Sequence, residues 1–296
     1  MEVKNRGEAL VLSLCEDESK YELDLLDLRN DVVFKAFFGD RRNNNLLLDF
    51  LEAVLGESII SVELLNPYVE PAHANDKSSE MDFRVLTDQG EQINVEIQVK
   101  GHKAFKERML IYWAKMYSGQ DKISQSYENL NRAIQIVVTN FTLLAKPYYH
   151  SMFQLMDPED GTVFSTHAEI HVLELPKLRR FQLQGSKKLE QWLLFLKSDK
   201  ETKEALAMES STMREAFEEI QRLSEDPATR AAAISREIFL KDQVQRELDA
   251  EAAGEIKGKT EVILNMHKEQ HPIEVIARAT NLPVDEVLSI VRLRLQ

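Results

Sequence analysis

Two acidic residues near position 90 have the types and spacing to do chemistry. Residues 80–100 read EMDFRVLTDQGEQINVEIQVK, in which Met81, Phe83 and Val85, then Ile93, Val95, Ile97 and Val99, alternate with polar neighbours. Such period-two alternation predicts two half-buried strands. Asp88, Gln89 and Gly90 lie between them as a three-residue hairpin loop, with glycine where left-handed backbone is usually required. With that loop, the numbers of facing residues sum to 178, so Asp82 stands opposite Glu96 and Arg84 opposite Asn94, with Gln98 and Lys100 further along the same face. Facing Cβ atoms lie about 4.5–5.5 Å apart. Two carboxylates that close repel unless positive charge sits between them. A divalent cation supplies that charge, and oxygen ligands suit Mg²⁺ or Mn²⁺. The chemistry implied is hydrolysis of a phosphodiester, with a metal-activated water and a stabilised leaving oxygen. On spacing alone, a hairpin with a merely polar, wet outer face remains the simpler reading.

Other elements must hold this hairpin in place. Residues 28–56, LRNDVVFKAFFGDRRNNNLLLDFLEAVLG, hold two helix-like stretches with apolar residues three and four apart, ended by Gly39 and Gly56. ISVELLNPYV reads as a strand stopped by Pro67, and the polar stretch EPAHANDKSSE leads into the hairpin. After the hairpin, FKERMLIYWAKMYSGQ reads as an amphipathic helix, RAIQIVVTNFTLL as a strand, AEIHVLEL (168–175) as a strand and KKLEQWLLFLKS as a helix. This order implies an α/β mixed sheet flanked by helices. From residue 199 to about 262 the chain is charged, rich in alanine and glutamate, and helical, with Asp226 and Pro227 suited to open a helix. The end, HPIEVIARATNLPVDEVLSIVRLRLQ, reads as two short helices joined by a tight turn at Asn281.

Bulk composition narrows the function. With 296 residues and 43% hydrophobic content, the chain can bury one substantial core plus an appended segment, or two modest domains. It shows neither a signal peptide nor a run of about 20 apolar residues, so it is expected in the cytoplasm with no membrane partner. The single cysteine, Cys15, can form neither an internal disulfide nor a cysteine zinc cluster. A net charge of −13 excludes a protein that coats nucleic acid through bulk positive charge, so any such contact must be local. His73, His102, His150, His167 and His171 show no metal-cluster spacing, and neither a Gly-rich phosphate loop nor a serine elbow occurs.

The ordered run NDVVFKAFFGD, LLDFLEAVLG, VELLNP, the MDFRV and INVEIQV hairpin, then FKERMLIYWAKMYSGQ and VLELPK resembles the Rpn-type recombination-promoting nucleases, transposases of the PD-(D/E)xK superfamily. The likeness spans about residues 25 to 200 and, more loosely, the carboxyl end. It implies a restriction-endonuclease-like fold with an N-terminal extension (1–24), a nuclease-like domain (25–198) and an α-helical tail (199–296). By position it makes Asp82 and Glu96 the Mg²⁺ or Mn²⁺ ligands and Gln98 the residue in place of the superfamily's lysine, able to orient water or phosphate by hydrogen bonds. Lys100 is a candidate to restore the missing charge, although a solvated lysine is the plainer reading. Asp31 matches an acidic position near the metal, or else caps its own helix. Between residues 100 and 132, Lys100, Lys103, Lys106, Arg108, Lys115, Lys122 and Arg132 outnumber Glu107, Asp121 and Glu128, and Arg108, Tyr112 and Gln120 fit the family pattern. A solvated helix face over an aromatic stripe explains most of them equally.

The resemblance thus implies a Mg²⁺-dependent DNA endonuclease linked to recombination and transposition. A nuclease-fold protein with weak or lost cleavage, acting as a DNA-binding or regulatory partner, is the alternative, and the same chemistry on RNA is a third. The terminal helix pair could read DNA as a helix-turn-helix, but its second helix offers only Arg292 and Arg294, late in its length. Packing or homo-oligomerisation is the plainer role for it.

Overall fold

The computed structural model describes residues 24–66, 68–69, 79–101, 103–120, 126–178 and 187–294. Cys15, His73, His102, Asp121 and Lys122 lie outside them, as does nearly all of the expected N-terminal extension. Helix α1 (Asp31–Phe38) starts where the Asn30 side chain accepts a hydrogen bond from the Val32 amide and ends at Gly39. After a short 3-10 turn, α2 (Asn44–Leu55) ends at Gly56, whose φ of 72° is open to glycine at little cost. Strand β1 (Val62–Leu65) follows, then the two-residue strands β2 (Tyr68–Val69) and β3 (Ser79–Glu80), which pair only with each other.

The expected hairpin is β4 (Phe83–Thr87) and β5 (Gln92–Gln98), joined through Gly90 at φ 80°. Next come α3 (Phe105–Ser118), β6 (Ala133–Thr139), β7 (His150–Met156) and β8 (Val163–Glu174). The six-stranded sheet has the order β1-β4-β5-β6-β8-β7, with β5, β6 and β8 parallel to one another and the remaining pairs antiparallel. One face of it carries Val85, Ile93, Val95, Ile97, Ile134, Ile136 and Val138 against Phe34, Phe37 and Phe38 of α1, Leu47, Phe50 and Leu51 of α2, and Trp192 of α4 (Lys188–Lys197). The other face lies under α3: Phe105 and Met109 pack on Val137 and Val172, and Met116 on Met81 and Ala133.

Three expectations change. Strand β4 alternates as expected, but β5 is not half-buried, because it is central and covered on both faces, with Asn94 at 0% and Glu96 at 2% exposure. Strand β7 and the first part of β8 escaped the sequence reading because β7 is an edge strand whose side chains are mostly exposed, so it lacks the apolar alternation that marks a strand. The boundary expected at residue 199 also moves. The chain divides into compact units at Ile234/Ser235, and α5 (Lys200–Glu209) and α6 (Ser211–Glu225) feed Leu206, Met213, Ala216, Ile220 and Leu223 into the sheet's own core. Helical periodicity reveals an apolar face without saying which partner covers it.

Helix α7 (Pro227–Lys268) opens as expected, with Asp226 Oδ2 accepting from the Thr229 amide at 2.7 Å. Beyond Ile234, the second unit holds the rest of α7, α8 (Ile273–Thr280) and α9 (Val284–Arg294) around Ile263, Ile276, Ala277, Val287 and Val291. Asn281, at φ 52°, makes the tight turn. No described helix is long and apolar enough to cross a membrane.

Candidate metal centre

The β4–β5 register pairs Phe83 with Val95 and Arg84 with Asn94, so the next facing pair is Asp82 and Glu96. Asp82 lies one residue before β4, and its Oδ2 accepts the Ile97 amide proton at 2.8 Å. This hydrogen bond anchors the carboxylate where the ladder would otherwise continue. Glu96 points to the face under α3, where Asn94 Nδ2 donates to its Oε1 at 3.2 Å and to Gln135 Oε1 at 2.9 Å.

Electrostatics make this pair unlike an exposed polar face. Burial, the largest cause, pushes the Asp82 carboxyl up to about 6, opposed by the Ile97 amide and Lys35 and assisted by Asp31. Burial likewise pushes Glu96 up to about 7, and the neighbouring Asp82 charge adds to the rise, against Arg108, Asn94 and Lys35. Both groups therefore sit where more positive charge would be favourable. Two cations approach from opposite layers. Lys35 Nζ of α1 lies 3.6 Å from Asp82 Oδ1, and Arg108 Nη2 of α3 lies 3.6 Å from Glu96 Oε2. The Arg108 guanidinium sits over the rings of Phe105 and Tyr112, at 5.4 and 5.7 Å, and its Nε and Nη2 are buried without a hydrogen-bond partner.

Residues 28–250 match a family profile described as PD-(D/E)XK nuclease family transposase. The chain belongs to this family. No curated protein and no solved structure matches it. The six-stranded mixed sheet between helical layers, with the carboxylates on its central hairpin, is the PD-(D/E)XK fold.

The donor set of this family member fits a hard divalent cation. Two carboxylates meet in one buried spot, and Asn94 Oδ1 beside them is a buried acceptor with no partner. Among the described residues no three His, Cys, Asp or Glu side chains gather to hold a metal. Two carboxylate ligands would leave the other positions to water and phosphate oxygens, as Mg²⁺ prefers.

The remaining candidates divide by place. Asp31 is the first residue of α1, whose cap is Asn30; its Oδ1 also accepts from the Val32 amide at 3.1 Å, and its charge adds to the rise at Asp82. Gln98 is the last residue of β5, on the Glu96 face by alternation. Lys100 follows the end of β5 and is exposed in the bend there. Tyr112 packs with Met81 and Met116 and supports Arg108. Gln120 is turned elsewhere, since its side-chain amide both donates to and accepts from the Asn131 backbone, tying the end of α3 to the approach of β6. Arg132 is committed to Glu57 and Glu91, with Glu169 at 3.6 Å.

Sequence reasoning missed Lys35 and Asn94. Asn94 was seen only as the partner of Arg84, and Lys35 only as a letter inside FKAFF. Its one signal was its place four residues after Asp31, on the same helix flank.

Proposed function

We propose that this family member is a Mg²⁺- or Mn²⁺-dependent DNA endonuclease in which Asp82 and Glu96 hold the cation. The observation that carries this reading is the pairing of these two carboxylates, buried, raised toward neutrality and flanked by Lys35 and Arg108. A bound cation would supply Lewis acidity, activating water and offsetting charge on the leaving oxygen. The chain's own groups do the positioning. Ile97 N–H fixes Asp82, Asn94 fixes Glu96, Gln98 hydrogen-bonds water or phosphate, and Arg108 places positive charge 3.6 Å from Glu96. Nicking of supercoiled plasmid with Mg²⁺ tests this: the parent should cleave, and Asp82→Ala and Glu96→Ala should each lose about 100-fold or more. Equal activity in all three proteins would place the cleavage elsewhere.

Gln98 favours a second reading, a nuclease-fold protein with weak or no cleavage that binds DNA or regulates a partner. Such a protein would bind DNA yet leave plasmid intact under conditions where calorimetry shows Mn²⁺ bound.

A further inference from the structure

The strand that presents Glu96 brings no cation of its own. Gln98 is neutral, and Lys100 lies past the strand end, exposed. Arg108 answers Glu96 from one side; its side chain is 31% exposed, but its Nε and Nη2 are buried beneath that surface, over the Phe105 and Tyr112 rings. Lys35 is placed differently. Its ammonium lies 3.6 Å from Asp82, and its side chain is 34% exposed while that of Asp82 is 11% exposed. The charge therefore stands at the rim, between the buried carboxylate and solvent. The stem leaves a rigid support, because Phe34, Phe37 and Phe38 of the same helix are fully buried.

We propose that Lys35 is the catalytic cation of this site, supplying from α1 the charge that Gln98 does not carry on β5. Its ammonium hydrogen-bonds a non-bridging oxygen of the scissile phosphate and offsets the charge that grows there in the transition state. In the reaction a water oxygen bonds to phosphorus and the bond to the leaving oxygen breaks. Water gives up a proton to solvent, and the leaving oxygen takes one from solvent. Lys35 stays protonated and changes no covalent bond. The assignment rests on the nuclease reading above and adds a residue to it.

The test compares the full-length parent with Lys35→Met, Lys35→Gln and Lys35→Met/Gln98→Lys, using single-turnover plasmid cleavage, Mn²⁺ calorimetry and thermal melting on the same preparations. Both single variants should cleave about 100-fold more slowly. They should bind Mn²⁺ at least as tightly as the parent, because a competing cation has left Asp82, and they should melt with the parent. The double variant, with lysine returned to the strand, should regain roughly tenfold or more of that loss. Parental cleavage in the single variants, or a cleavage loss matched by an equal loss of Mn²⁺ affinity, overturns the role of Lys35. A parent that never cleaves in Mg²⁺ or Mn²⁺ overturns the nuclease reading and this assignment with it, whereas an active parent with active Lys35 variants removes Lys35 alone.

Discussion

Asp82 and Glu96 would each be ordinary acids in water, and burial side by side is what sets them apart. Their raised proton affinity gives a pH dependence whose sign is fixed. The folded, metal-free protein binds protons more tightly than the unfolded chain, so the pair's contribution is most favourable at low pH and declines as pH rises through about 6 and about 7. Melting in EDTA should therefore show Tm falling between pH 5.5 and 8, with Glu96→Gln flattening the slope. A slope unchanged in that variant would mean other groups cause it. Arg108 belongs to the same scale. Arg108→Ala should weaken DNA binding by about tenfold and lower the salt slope by about one, read by anisotropy with Ca²⁺ in place of Mg²⁺. The two carboxylates were legible in the sequence because a three-residue loop fixes which positions face each other. Lys35 was not legible, since a helix and a strand 47 positions apart in the chain meet only through tertiary packing.

At the scale of elements, the hairpin turn and the helix end make a matched pair of tests. Gly56 and Gly90 both have positive φ, but a Cβ at Gly56 would meet nothing, whereas one at Gly90 would come within 2.5 Å of Asn131 Nδ2. Gly56→Ala should cost about 1 kcal/mol of stability and leave Mn²⁺ affinity intact. Gly90→Ala should cost more and weaken Mn²⁺ binding, because strain in this loop disturbs the register that faces Asp82 with Glu96. Calorimetry and denaturant melts on both variants separate these outcomes. Alternation in β4 and β5 gave the strands and their register correctly. It could not show that α3 would cover the polar face, since Asn94 and Glu96 read as solvent-facing until their hydrogen bonds to each other and to Gln135 are seen. Burial of the site thus follows from Phe105, Met109 and Met116 anchoring α3 on the sheet.

For the whole molecule, the acidic balance of −13 means that attraction to DNA must be concentrated near the site rather than spread over the surface. Arg132, just before β6, is already spent on three glutamates. Chain division matters at this scale as well. Ending the chain after residue 198 removes Leu206, Met213, Ala216, Ile220 and Leu223 from the sheet's core and should abolish cooperative unfolding, while ending it after residue 240 keeps the first compact unit and should melt as one transition. The charged, alanine- and glutamate-rich composition correctly marked residues 199 to about 262 as helical, but it could not assign the first of them to the core of the sheet. A cation shared between two strands is what the whole fold would serve to hold. Parent crystals soaked in Mn²⁺ test that most directly: anomalous difference density between the Asp82 and Glu96 carboxylates, lost in Asp82→Asn crystals, is the expected result, and density elsewhere or at neither carboxylate would contradict it.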